Sequence, residues 1–183
     1  RAIREMGRQF VLGRTIQEAA KQGEERQKQG YTFSYDMLGE AALTSADAAG
    51  FYRAYHDAIA QLAKHSNSSD IRKNPGISVK LSALHPRYEL GQKSRVMAEL
   101  TARVLKLAKQ AKDAGMGFNI DAEEADRLEL SLDVIEAVLR KPELAGWDGF
   151  GVVVQAYGKR SGAVLDWLHA LAVELDRKIM VRL

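Results

Sequence analysis

No cysteine occurs in the 183 residues, which excludes disulfides, thiolate metal sites and a cysteine nucleophile and suits a reducing compartment. No apolar run approaches the ~20 residues needed to span a bilayer, and the first residues carry no signal-peptide pattern. Low-complexity segments and interdomain linkers are also missing. Charge of one sign is never concentrated: the net charge is +3 and the lysines and arginines are interleaved with acids, most densely over residues 1–30. That pattern describes a solvated surface and argues against a nucleic-acid footprint.

Several chemical motifs are absent as well. There is no P-loop. Gly146, Gly149 and Gly151 precede an apolar run, whereas a dinucleotide fingerprint must follow a strand and open a helix, so they read as a flexible turn. His56, His65, His85 and His169 show no paired metal spacing. Only His85, just past a predicted strand, could line a site. Asp121, Glu123, Glu124 and Asp126 form an acidic cluster that could hold a metal, although such clusters more often serve the positive end of the next helix.

What is present is a repeated pattern. Five apolar stretches each carry one polar residue near the far end, in the same alternation phase: Phe33–Met37 with Asp36, Ile77–Leu81 with Lys80, Phe118–Ala122 with Asp121, Val152–Ala156 with Gln155, and Ile179–Leu183 with Arg182. Alternation at period 2 places each polar group on the strand face opposite the apolar one. Helical patterns separate the stretches: about Thr44 to His65, Ser94 to Ala114, Glu124 to Arg140 and Ser161 to Asp176, with a leading helix from about Ala2 to Gln29, closed by Gly30. Strands joined through helices are parallel, so five polar groups are expected at the carboxyl ends of adjacent strands, where parallel α/β proteins keep their active sites.

The repeat fits an α/β barrel or a doubly wound sheet. With 46% hydrophobic residues the chain can fill one core. A closed (βα)8 barrel needs about 250 residues, so five strands supply about five-eighths of one. Arg1 in place of methionine and a strand pattern running to Leu183 suggest a piece of a longer polypeptide.

The strand-end set admits three chemical readings: a satisfied buried ion network, a Schiff-base enzyme of class I aldolase type using Lys80, or a site for a cofactor or anionic substrate. An acidic partner near Lys80 works against the second, because it keeps the amine protonated. The third uses Lys80, Asp121, Gln155 and Arg182 together: Lys80 and Arg182 hold negative charge, Gln155 reads a heterocycle edge and Asp121 orients a donor. A non-catalytic scaffold is the remaining possibility.

The motifs Tyr35-Asp36-Met37-Leu38-Gly39-Glu40, Ser78 to Leu84, Asn119 to Glu124, Val154 to Tyr157 and Val181-Arg182-Leu183 resemble the proline dehydrogenase domain of the bifunctional proline utilization A flavoenzymes, in order and over essentially the whole chain. The resemblance implies a distorted (βα)8 barrel binding FAD without a Rossmann loop. Residues 1–30 would be a leading helix, and 31–183 strands one to five with their helices. The implied reaction oxidises L-proline to Δ1-pyrroline-5-carboxylate, with hydride passing to flavin N5 and electrons to a membrane quinone. By the same resemblance Asp121 and Arg182 are catalytic, and Asp121, Ala122, Gln155 and Arg182 contact the cofactor. Lys80, Asp36 and Met37 lie on the substrate side. The later strands, a carboxylate-binding arginine pair and any DNA-binding or aldehyde dehydrogenase segment are not in this sequence and would come from the rest of the polypeptide. The implied location is cytoplasmic, peripheral at the inner membrane face.

Overall fold

The computed structural model describes residues 11–183. A helix α1 (Ile16–Gln27) leads into β1 (Ser34–Asp36), and α2 (Ser45–Leu62) leads into β2 (Gly76–Val79). A one-turn helix α3 (Leu81–Leu84) and the long α4 (Lys93–Asp113) precede β3 (Gly117–Ile120). Then follow α5 (Leu128–Leu139), β4 (Phe150–Val153), α6 (Ser161–Glu174) and β5 (Met180–Arg182).

All four strand pairs are parallel, and the strands lie in sequence order, β1-β2-β3-β4-β5. A doubly wound sheet reverses direction at a switch point, whereas this one steps the same way at every crossover, which is barrel winding. The order therefore decides between the two architectures that the repeat alone leaves open.

The elements form for local reasons. Thr44 caps α2: its side chain accepts from Asp47 N–H while Asp47 accepts from Thr44 N–H. Helix α4 buries Val96, Leu100, Val104, Leu107 and Ala111, a stripe at spacings of three and four. That stripe packs on the helix-facing side of the sheet, where Tyr35, Ile77, Val79, Phe118, Ile120, Phe150 and Val152 are all buried. The opposite side carries Ser34, Asp36, Ser78, Lys80, Asn119 and Asp121, as alternation requires.

Three boundaries differ from the sequence reading. Among the described residues the leading helix runs Ile16–Gln27, with Thr15, extended at φ −130°, capping it by accepting from Glu18 N–H; the expected stretch with Ile3, Met6 and Phe10 lies outside the described residues. The first strand is three residues long, not the eight of Tyr31 to Leu38, because its neighbour β2 begins only at Gly76, opposite Ser34, and turns into α3 soon after Ser78, opposite Asp36. The helix expected from Glu124 begins as a 3-10 turn, Ala125–Arg127, and becomes α-helical only at Leu128.

Candidate active site

The register sets the heights of the site residues. Asp36 pairs with Ser78, Ser78 with Asn119, Asn119 with Gly151 and Gly151 with Met180, forming one interior layer. One layer up are Lys80 and Asp121, with Val153 paired to Arg182. Gln155 lies two residues beyond Val153, past the end of β4. The five polar residues thus share a face but occupy three heights.

Side-chain length closes the gaps between them. Lys80 Nζ donates to Asp36 Oδ1 at 2.7 Å and to Asp121 Oδ2 at 3.1 Å, and Arg182 Nη2 donates to Asp121 Oδ1 at 2.6 Å. The result is a chain of alternating charge, Asp36–Lys80–Asp121–Arg182, contributed by β1, β2, β3 and β5. Arg182 can reach across β4 because that strand offers only Gly151 and Val153 on this face. A Cβ at Gly151 would collide with the Asn119 carboxamide oxygen. Beneath the chain a second network runs from Arg182 Nη1 to Ser78 Oγ (3.3 Å), from Ser78 Oγ to Ser34 Oγ (3.0 Å), and from Asn119 Nδ2 to Ser34 Oγ (3.2 Å).

Burial is graded along the chain. The Asp121 and Lys80 side chains are 9% and 17% exposed, while those of Asp36 and Arg182 are half exposed. Burial alone would lower the Lys80 pKa, but the hydrogen bonds and charges of Asp36 and Asp121 outweigh it and hold the ammonium above its ordinary value. Lys80 is therefore a fixed cation, and a Schiff-base role is disfavoured because it needs the free amine. Behind it, Tyr55 OH accepts from Lys80 N–H at 3.2 Å, and burial pushes this phenol up to about 12.

A cavity of about 490 Å³ opens beside the chain, lined on the site side by Lys80, Asp121, Ala122, Gln155 and Glu40. Its far wall is apolar, from Ile120, Leu132, Ile135, Val152 and Val164. The volume suits a small molecule or part of a cofactor. Asp36 and Arg182 join the cavity only through Lys80 and Asp121 and are not among its lining residues. The lining suits the edge of a flavin: an amide that both donates and accepts at Gln155 and a main-chain edge at Ala122.

Met37 is not brought to this site. It lies on the opposite side of the strand from Asp36 and packs against the hydrophobic core. His85 is 1% exposed and accepts from Arg87 N–H through Nδ1, 3.1 Å away, outside the cavity lining. The acidic cluster disperses: Asp121 faces the two cations, Glu123 holds Ser82, and Glu124 pairs with Arg127. No metal-binding group of three or more such residues exists among the described residues. Sequence reasoning missed Ser34, Ser78 and Asn119, although each stands two residues before a chosen site residue and hence on the same face. Tyr55, from a helix, had no comparable signal.

The sequence model described as proline dehydrogenase matches residues 19–183. The bifunctional protein PutA of Escherichia coli K12 is 52% identical over 182 residues, and that of Rhizobium meliloti 54%. Each alignment covers 100% of this chain and 14% of the relative, so the chain spans about one-seventh of their length. Among solved structures, a variant of Bradyrhizobium japonicum proline utilization A superposes with a TM-score of 0.83 at 53% identity, over 94% of this chain and 17% of that one. Proline utilization A of Bdellovibrio bacteriovorus, inactivated by N-propargylglycine, superposes with a TM-score of 0.91 at 25% identity, over 98% and 20%.

Proposed function

The chain belongs to the proline dehydrogenase family, and from that premise we propose that it is the amino-terminal part of a barrel that oxidises L-proline to Δ1-pyrroline-5-carboxylate with FAD as cofactor. The observation that carries this reading is the Asp36–Lys80–Asp121–Arg182 chain at the edge of the cavity. Further strands of a longer polypeptide would pair along β1 and β5, the open edges of the described sheet, and close the barrel.

An ammonium has three donors. Two on Lys80 are committed to Asp36 and Asp121, which leaves one for the carboxylate of proline. Asp36 sets the direction of that third donor. Gln155 and the Ala122 main chain would hold the edge of the isoalloxazine, and Asp121 holds the Arg182 guanidinium in place. A guanidinium fixed in this way stabilises negative charge without reorganising when the charge appears. When bound, FAD would supply the two-electron acceptor for a hydride from the carbon beside the unprotonated substrate nitrogen, the nitrogen would release its proton as the C=N bond forms, and a membrane quinone would take the electrons on. No helix among the described residues is long and apolar enough to cross a membrane; the proposed location is the cytoplasm, with peripheral contact at the inner membrane face.

The test is an absorbance spectrum of the full-length protein reconstituted with FAD. The expected result is a flavin spectrum that bleaches anaerobically on addition of L-proline. A protein that takes up no flavin, or whose flavin bands ignore L-proline, overturns the reading.

A further inference from the structure

Three loops at the carboxyl end of the sheet meet at one buried serine. Ser82 lies two residues past Lys80 in α3 and is 3% exposed. Its main-chain N–H donates to Glu123 Oε2 at 3.0 Å, and its hydroxyl donates to Glu123 Oε1. The same hydroxyl oxygen accepts from Ala41 N–H at 3.0 Å, and the Ser82 carbonyl accepts from Ala42 N–H at 2.9 Å. With Glu123 ionised, a carboxylate only accepts and a main-chain N–H only donates, so the single hydroxyl proton has one place to go.

The arrangement adds a second link above the ends of β2 and β3, made by side chains and not by the strand ladder. Glu123 stands two residues past Asp121, as Ser82 stands two past Lys80. The Lys80–Asp121 pair and the Ser82–Glu123 pair are thus successive rungs between the same two segments. The third partner is the loop after β1, which follows Asp36 and carries Glu40 at the cavity wall. Ala41 in that loop has φ +53°, a left-handed conformation that a residue with a Cβ adopts only where its surroundings hold it. Both amides that hold it there, Ala41 and Ala42, are bound to Ser82.

We propose that Ser82 and Glu123 are positioning residues of the proline site, holding the loop after β1 so that Asp36 stays against Lys80 and Glu40 stays at the cavity wall. This inference rests on the proline-oxidation reading. Burial pushes the Glu123 carboxyl upward, while both Ser82 donors pull it back, as expected of an anchor and not of a solvated surface acid.

The experiment uses the full-length protein with Ser82→Ala and the milder Glu123→Gln, which keeps the side-chain volume and one acceptor oxygen. For Ser82→Ala we expect KM for L-proline to rise about ten-fold, with kcat within about two-fold and flavin content unchanged, the signature of lost positioning on the substrate side. Amide exchange at Ala41 should accelerate about ten-fold or more. Glu123→Gln should move KM and exchange the same way by about three-fold. Unaltered Ala41 exchange overturns the tether. Faster exchange with unchanged KM overturns its role at the site, and a joint fall in kcat and flavin content reduces the serine to a folding residue. A wild-type protein without flavin or proline turnover sinks the underlying reading instead, and Ala41 exchange tells that failure from failure of the tether.

Discussion

Asp121 is the least exposed member of the charged chain and the only one that touches both cations. Its replacement by alanine leaves Lys80 and Arg182 facing each other across a buried gap. Breaking a buried pair by removing one partner costs several kcal/mol, reduced here because Arg182 is half exposed. Asp121→Ala is therefore expected to lower unfolding free energy by about 2–3 kcal/mol, and Lys80→Met by about half as much because Asp121 keeps Arg182. Urea titration of the two variants measures the difference, and equal losses would contradict this account of the chain. A pH effect follows from the same neighbourhood. Lys80 and Tyr55 both bind their protons more tightly folded than unfolded. Their contribution is complete below about pH 10 and is lost as pH rises through the folded values, which for Tyr55 is about 12. Stability measured between pH 9 and 12 should therefore decline with a shallower slope in Tyr55→Phe, and identical slopes would refute the assignment.

Elements position these residues through their ends. Strands β2 and β3 stop at Val79 and Ile120, and each site residue follows immediately, where the chain leaves the ladder yet stays pinned by it. The Asp121 N–H still donates to Val79 O at 3.0 Å. The loop after β1 has a second anchor besides Ser82. Gly39 adopts φ +134° and lies so close to Phe51 of α2 that a Cβ would collide with the ring. Conformation and space both demand glycine there, so Gly39→Ala should destabilise by about 2 kcal/mol. It should also raise protease sensitivity of residues 37–44, because the loop must lift from α2. Thermal melts and limited proteolysis check the two halves of this prediction, and an unperturbed loop would show that Gly39 is not an anchor.

Across the molecule, the apolar side of the sheet and the polar side divide the work. The former supplies the cohesion: Phe118 and Phe150 lie fully buried with ring centroids 5.8 Å apart, in the same core cluster as Val104 and Leu107 of α4. Phe118→Ala should cost about 3–5 kcal/mol, whereas Leu38→Ala, at a position 87% exposed, should stay within about 0.5 kcal/mol. Denaturant midpoints decide this, and comparable losses would mean that Leu38 is covered in solution. The polar side contributes charge and shape at some cost in stability, and this division lets one sheet carry both a core and a site.

Period-2 alternation assigned Asp36, Lys80, Asp121 and Arg182 to one face, and the helical stripes assigned the crossovers, because both are local consequences of backbone geometry. Parallel pairing followed from the helices between strands. Side-by-side strands were expected from the same pattern and the barrel from the motif resemblance, but the repeat alone left a doubly wound order open, and only packing of helices on one side made the sheet step in a single direction. Height was hidden, since register depends on partner strands: Asp36 stands two residues below the level of Lys80 and Gln155 two above it. Alternation places Met37 on the side opposite Asp36, and it packs against the hydrophobic core. The contacts that fix the site, Tyr55 behind Lys80 and Ser82 between Ala41 and Glu123, join residues 25 and 41 positions apart. A sequence read in order carries no signal for such pairs; the tertiary fold alone brings them within hydrogen-bonding distance.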